Sequence, residues 1–254
     1  MIYIDKVFII GFPENMQVKK ELFQSRLKTF GVRFDTPMEI VEVPEKEQIG
    51  NALSRYRLQL HANGSGDTAS CTEIALAIGH WQVWQKARKE KYESILVLEE
   101  GFVPVGKGYH RLNPEGDWDI LHLRRQPDDG GASENGDILY GVGDWTSPPI
   151  SADPFGYVIS GPGIRKVLKS GYDKKLIPTG EFLSSIQGVH PNEDVARLFS
   201  NCIEALAPGD NLVERDSTWP IAVERARRLA DGYKPLRAAL FDVLGKREAQ
   251  WAKK

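Results

Sequence analysis

The sequence predicts an α/β fold: a mostly parallel sheet flanked by helices, with a helical extension at the C-terminal end. Three observations carry that expectation. Ser70 to Lys91 reads as a capped helix that feeds the continuous apolar run Ser94-Ile95-Leu96-Val97-Leu98, as in a central parallel strand covered on both faces. Lys6-Val7-Phe8-Ile9-Ile10, closed by the turn Gly11-Phe12-Pro13 and followed by a helix over Met16 to Phe30, is a strand-then-helix start. Further strands over Gly116 to Leu123 and around Tyr157, with a short helix over Pro162 to Ser170, continue the alternation.

After the first strand and helix, Glu39-Ile40-Val41-Glu42-Val43 alternates apolar and acidic residues and reads as a second strand. Pro44 to Gly66 is charged and poorly patterned; its Arg55, Arg57 and His61 leave two readings open, a solvated helix and loop or a flap over a ligand. Ser70 and Glu73 have the spacing of a capping box, which satisfies the first free amides of the helix with side chains. Ile74, Ile78 and Trp81 recur at helical spacing as its core face, and Glu73, Ala77, His80 and Trp84 form an adjacent stripe of polar and aromatic groups. The strand that follows ends in Glu99-Glu100-Gly101. Ligands of open α/β sheets bind outside the carboxyl ends of the strands, so these two carboxylates stand where a diphosphate or its metal ion would be held.

Downstream, Gln126 to Gly136 and Gly141 to Pro154 are loops by their density of turn residues. Trp145, inside the second, is either a packing anchor or a stacking surface for a ligand ring. Ile221 to Asp231 and Pro235 to Trp251 are helical, with Leu236, Ala239, Leu240, Val243 and Leu244 as one apolar stripe. The expected organisation is one α/β domain over 1–220 with a helical extension over 221–254 packed on it.

Composition narrows the function. A chain of 254 residues, 41% of them hydrophobic, buries one large core. A formal charge of -2 gives no global electrostatic case for nucleic acid or an anionic membrane. Two cysteines, Cys71 and Cys202, are too few for a disulfide framework, and Met1-Ile2-Tyr3-Ile4-Asp5 lacks the pattern of a signal peptide; a cytoplasmic protein is the expectation. No apolar run approaches the roughly 18 residues of a membrane span.

Four ordered blocks over roughly residues 70–220 carry a family resemblance. Glu73-Ile74, His80 and Trp84 followed by Ile95-Leu96-Val97-Leu98-Glu99 form the first. Asp117-Trp118-Asp119-Ile120-Leu121 is the second, and Phe155-Gly156-Tyr157-Val158-Ile159-Ser160 the third. Ile177-Pro178-Thr179-Gly180-Glu181-Phe182-Leu183 with His190-Pro191 completes the set. Together they resemble glycosyltransferase family 25, which includes lipooligosaccharide galactosyl- and glucosyltransferases of lipopolysaccharide biosynthesis and the procollagen galactosyltransferases. The resemblance implies a type-A glycosyltransferase-like, Rossmann-like fold. It also implies inverting transfer of galactose or glucose from a UDP-sugar to a glycan, a lipid-linked glycan or a hydroxylated protein acceptor. A lipid-linked acceptor would bring the protein to the membrane surface peripherally.

The resemblance also assigns candidate roles. Glu99 and Glu100 are the candidate ligands of Mn2+ or Mg2+, which would neutralise the departing diphosphate. Glu181 is the candidate catalytic base toward an acceptor hydroxyl, with Glu193 and Asp194 as nearby rivals. Gly11, Glu73, His80, Arg124, Arg125, Trp145 and Tyr157 make up the candidate substrate-binding set. Three positions depart from the family pattern: Gly11-Phe12-Pro13 replaces an asparagine-leucine, and Gly101 and Gly180 stand where aspartates are usual. Three outcomes follow for the leaving group. Glu100 holds a metal ion completed by water and phosphate oxygens, Arg124 and Arg125 neutralise the diphosphate without metal, or the site binds sugar or protein without transfer.

Overall fold

The computed structural model describes residues 3–13, 16–30, 35–61, 70–104, 114, 116–123, 145–146, 155–190, 192–208 and 212–215. The expected helical extension over 221–254, together with Arg124 and Arg125, lies outside them.

The strand-then-helix start is present as β1 (Lys6–Gly11) and α1 (Met16–Phe30), followed by β2 (Met38–Glu42). Helix α2 (Ile49–Tyr56) opens the charged stretch, and the backbone beyond it is tied down: Gln59 N donates to Asp173 O, and His61 N to Leu176 O. This segment is therefore anchored to the residues around Asp173 and Leu176.

Helix α3 (Cys71–Glu90) begins at the predicted capping box, with Ser70 Oγ accepting from Glu73 N at 3.1 Å and the Glu73 carboxylate accepting from Ser70 N at 2.9 Å. It ends where Lys91 turns left-handed at φ 58°. Strand β3 (Ser94–Glu99) follows and is buried along its whole length. Next come β4 (Phe102–Pro104), β5 (Ile120–His122), β6 (Trp145–Thr146), β7 (Gly156–Ser160), α4 (Gly161–Lys169), α5 (Thr179–Ile186), α6 (Glu193–Ala196), β8 (Ala205–Pro208) and β9 (Val213–Arg215).

The main sheet runs β2-β1-β3-β7-β5-β8-β6. Strands β2, β1, β3, β5 and β8 point one way, while β7 and β6 run against them. The expected α/β class with a mostly parallel sheet flanked by helices is thus observed. The antiparallel β7 sits in the middle of the sheet, between β3 and β5.

Alternation along the strands sorts the core into two layers. Phe8, Ile10, Ile95, Val97, Tyr157 and Ile159 face the helices that include α3 and α5, whereas Val7, Ile9, Leu96, Leu98 and Val158 face α1 through Phe23 and Leu27. Connections between segments far apart in sequence are polar. The buried Asp119 carboxylate accepts from Lys166 Nζ at 2.6 Å and from Glu204 N at 2.9 Å, which joins β5, α4 and the start of β8.

Helix α3 lies close on β1 because residue 79 carries no side chain. A Cβ at Gly79 would stand 2.7 Å from Ile10 Cγ2 and 3.0 Å from Val43 Cγ1. On helix propensity alone Gly79→Ala would stabilise by about 1 kcal/mol, but overpacking a filled core costs roughly 1–3 kcal/mol. The expected outcome is a net loss of stability on the order of 1 kcal/mol, read as a lower urea midpoint at unchanged slope. A raised midpoint would show that α3 can shift away from β1 at little cost.

Candidate functional site

The chain passes from β1 through α1 to β2 on one side, then returns to form β3 on the other side of β1. This reversal of strand order sets the carboxyl ends of β1 and β3 side by side, the place where open α/β sheets have their ligand crevice. Gly11 ends β1 there and Glu99-Glu100-Gly101 ends β3.

The two glutamates part at this point. Glu99 continues the row of Ile95 and Val97 toward α3, and its Oε1 lies 3.5 Å from His80 Nε2 with both side chains buried. Glu100 goes the other way: its amide donates to Ile10 O at 2.7 Å, and its carboxylate rests against Gly11, where a Cβ would stand 2.4 Å from Oε2. The α-carbon of Gly11, a candidate substrate-binding residue, is therefore covered on this side by the chain's own Glu100. Gly101 turns the chain toward β4 at φ 85°, a left-handed geometry that glycine adopts freely and other residues adopt at a cost. The residue that stands in place of a family aspartate is thus also the one this turn favours.

His80 and Tyr157 belong to the interior of the site, each at 0% exposure. Tyr157 Oη accepts from Trp84 Nε1 at 3.0 Å and lies 2.8 Å from His80 Nδ1. The imidazole and phenol rings stack at 5.6 Å with planes 22° apart. Burial pushes the Tyr157 phenol well above its usual pKa, so its proton stays on.

A neighbouring polar pair was not anticipated from the sequence. His122 is opposite Tyr157 in the β5–β7 register and its Nε2 lies 3.0 Å from Gln187 Nε2, on the residue that ends α5. Burial lowers the His122 pKa to about 4, which keeps the ring neutral. The alternation Ile120-Leu121-His122 puts this histidine on the same face as Ile120, and that was the available signal.

Glu181 occupies the first turn of α5, half-buried beside Phe182. Phe182 stacks on Tyr172 at 3.9 Å, and Tyr172 Oη donates to Ile177 O at 2.7 Å, which fixes the start of the helix. Its rivals lie on exposed α6, where Glu193 pairs with Arg197 at 2.5 Å. Glu73 is engaged in the capping box, and Trp145 lies in edge strand β6. A cavity of about 550 Å3 lined by Arg88, Lys91, Tyr92, Pro162 and Arg165 opens near the start of β3 and the end of β7, away from the two glutamates.

Among the described residues no group of three or more His, Cys, Asp or Glu side chains could hold a metal ion. Strand alternation sends Glu99 toward His80 and Glu100 against Gly11, so the two candidate metal ligands lie on opposite faces of the strand. Glu99 and Glu100 do not by themselves fit a divalent cation. Among the described residues no helix is long and apolar enough to cross a membrane.

The fold is that of an α/β protein whose mostly parallel sheet reverses its strand order between β1 and β3. No family model matches the chain. Curated relatives do. It is 29% identical over 141 residues to a "Glycosyltransferase 25 family member" of Aedes aegypti, covering 51% of this chain and 22% of the relative. It is 25% identical over 205 residues to a "Probable inactive glycosyltransferase 25 family member 3" of Bos taurus, covering 71% and 34%. An Anopheles gambiae family member is 29% identical over 133 residues, covering 48% and 21%. These three relatives support membership of glycosyltransferase family 25, as the four sequence blocks imply. The chain spans about a fifth to a third of the length of these relatives. Among solved structures, a Drosophila β-1,4-galactosyltransferase 7 mutant in complex with manganese, UDP-Gal and xylobiose overlaps 89% of this chain and 80% of its own at a TM-score of 0.37 and 10% identity, too loose a likeness to rest an argument on.

The neutral His122 gives the site a pH signature. Its folded pKa of about 4 lies below the unfolded value near 6.5, so the unfolded chain binds the extra proton between them. This contribution is present in full above pH 6.5 and is lost as the pH falls toward 4, on the order of 3 kcal/mol in all. The expected result is a fall in unfolding free energy across that window that is shallower in His122→Leu. Parallel pH profiles for the two proteins would show that His122 titrates normally in the fold.

Proposed function

We propose that the chain is a glycosyltransferase domain that binds a nucleoside diphosphate sugar, with UDP-galactose or UDP-glucose as the leading donors, and passes the hexose with inversion to a hydroxyl of a glycan or hydroxylated acceptor. The observation that carries the reading is the reversal of strand order between β1 and β3, where Glu100 lies against Gly11, in a chain similar to curated members of glycosyltransferase family 25. The residues divide the work. Glu100 and Gly11 shape the donor side, Glu99 is held inward by His80, and Glu181 on the rigidly packed α5 is the base that takes the acceptor proton as the sugar moves. Displacement by the acceptor oxygen breaks the bond from the sugar to the diphosphate, which leaves as the nucleoside diphosphate. Arg124 and Arg125 are retained in this reading as the cations that offset its charge. A metal requirement belongs to the test.

A second reading has its own support. The two strand-end acids diverge, glycine stands at 101 and 180, and the Bos taurus relative is named as probably inactive. A domain of this kind would bind the nucleotide sugar or its acceptor without transfer.

Calorimetry with UDP-galactose, UDP-glucose and UDP, joined to turnover of a labelled donor with manganese and with chelator, separates the readings. Binding is expected, and a ligand in hundredfold excess over its Kd raises stability by about 2.7 kcal/mol. Glu181→Gln is expected to slow transfer by roughly a hundredfold or more while donor affinity is kept. Binding without turnover under every condition would select the second reading; absence of heat with any nucleotide would reject the first and leave of the second only acceptor binding.

Turnover that survives chelator and falls on replacement of Arg124 or Arg125 would assign the leaving-group charge to those arginines. Turnover that needs manganese would show that groups beyond Glu99 and Glu100 complete a cation site. Gly101→Asp tests whether a carboxylate can be restored there, against the cost of roughly 1–2 kcal/mol for a left-handed non-glycine residue.

A further inference from the structure

Four buried groups separated widely in sequence form a directional chain. Trp84 Nε1 can only donate, and it donates to Tyr157 Oη at 3.0 Å. Among the described residues the partners of that oxygen are Trp84 and His80, and of the two only His80 Nδ1, at 2.8 Å, can accept the phenol proton. An imidazole that accepts at Nδ1 carries its own proton on Nε2, the atom that faces Glu99 Oε1 at 3.5 Å. The alternatives fail on the same inventory. A ring protonated on Nδ1 alone would set a lone pair against the carboxylate, and a doubly protonated ring would leave the phenol proton without an acceptor at 0% exposure.

We propose that Trp84, Tyr157 and His80 form a hydrogen-bonded strut that ends against Glu99 inside the core, with His80 accepting at Nδ1 and carrying its proton on Nε2, 3.5 Å from the carboxylate. On this assignment His80 and Tyr157 are positioning residues: they touch neither donor nor acceptor and act by fixing the end of β3, and with it the Glu100-Gly101 turn that floors the crevice. The strut ties α3, β7 and β3 together at one point, so the crevice is held by an interior tautomer as well as by strand pairing. The positioning role rests on the nucleotide-sugar reading above. The strut and its tautomer do not.

Nitrogen NMR of protein labelled at histidine tests the tautomer directly, since the chain has five histidines and substitution at His80 assigns its signals. The expected spectrum near neutral pH shows a pyridine-type Nδ1 and a protonated Nε2 at His80; a protonated Nδ1 would overturn the proposal. This measurement uses the unaltered protein and does not depend on any variant folding. Tyr157→Phe removes the donor to Nδ1, and Trp84→Phe frees the phenol oxygen to accept from it, so both are expected to mix the tautomers. A tautomer unmoved in whichever of the two folds would overturn the strut.

The positioning role is read from affinity for UDP-galactose and UDP-glucose. His80→Leu, which keeps bulk and removes both polar atoms, is expected to weaken binding by roughly tenfold. His80→Gln offers one acceptor and one donor and is expected to recover part of the loss. Equal losses in the two variants would reduce His80 to packing and reject the role. If the unaltered protein binds no nucleotide sugar, the functional reading falls, while the tautomer measurements still decide the strut.

Discussion

The close seat of α3 on the sheet is the constraint on which the interior depends. A glycine inside a helix costs about 1 kcal/mol relative to alanine, yet Gly79 lets the helix approach Ile10 and Val43 closely enough to bury Ile74, Ile78, Trp81 and Trp84. Each such side chain contributes roughly 1.5–3 kcal/mol when removed from water, so the approach outweighs the local penalty several times over. It also decides the chemistry. His80 is the next residue, and it reaches both Tyr157 and Glu99 because the residue before it has no side chain to hold the helix off. The capping box at Ser70 and Glu73 and the left-handed stop at Lys91 set where this helix begins and ends, and so which residues face the sheet.

A second constraint acts where β3 ends. Two adjacent acids on a strand cannot both point into one ligand shell, because alternation sends them to opposite faces. Here the consequence is complete: Glu99 joins the α3 layer and Glu100 lies on Gly11 in the direction of the α1 layer. A diphosphate in this crevice would therefore meet a surface shaped by Glu100 and the Gly101 turn, with Glu99 acting from behind. The absence of an aspartate at 101 reads differently in that light, since the left-handed backbone there favours glycine whatever the chemistry.

What was legible in the sequence is what short-range pattern encodes. The cap, span and core face of α3, the apolar run of β3, the strand-then-helix start and the acids at the strand end are all local. The partners were not legible, because they are distant: His80 and Tyr157 are separated by 77 positions, Trp84 and Tyr157 by 73. Helix α5 is not legible as a helix in the sequence, because it starts after Pro178 with no side-chain cap and so lacks the usual start signal. The reversed direction of β7 was hidden for a related reason. A continuous apolar strand looks the same in either orientation, and only its pairing with Leu98 through Ser94 reveals it.

The two faces of the sheet are unequal in a way that bears on function. The α1 layer is built from Ile4, Val7, Ile9, Phe23, Leu27, Leu96, Leu98 and other apolar side chains, with the buried Glu100 against Gly11 on the same side. The opposite face carries His80, Glu99, Tyr157 and His122, with Gln187 beside them, all buried. A buried polar group costs on the order of 1–3 kcal/mol when left unsatisfied, so a fold selected for stability alone would keep both faces apolar. Placing these groups on one face, at the carboxyl ends of β3 and β5 and under α3 and α5, spends stability where ligands enter an α/β sheet. What the arrangement gains is geometric: hydrogen bonds fix side chains by direction, whereas apolar packing fixes them only by shape. The face that tolerates the cost is the one that supports the crevice.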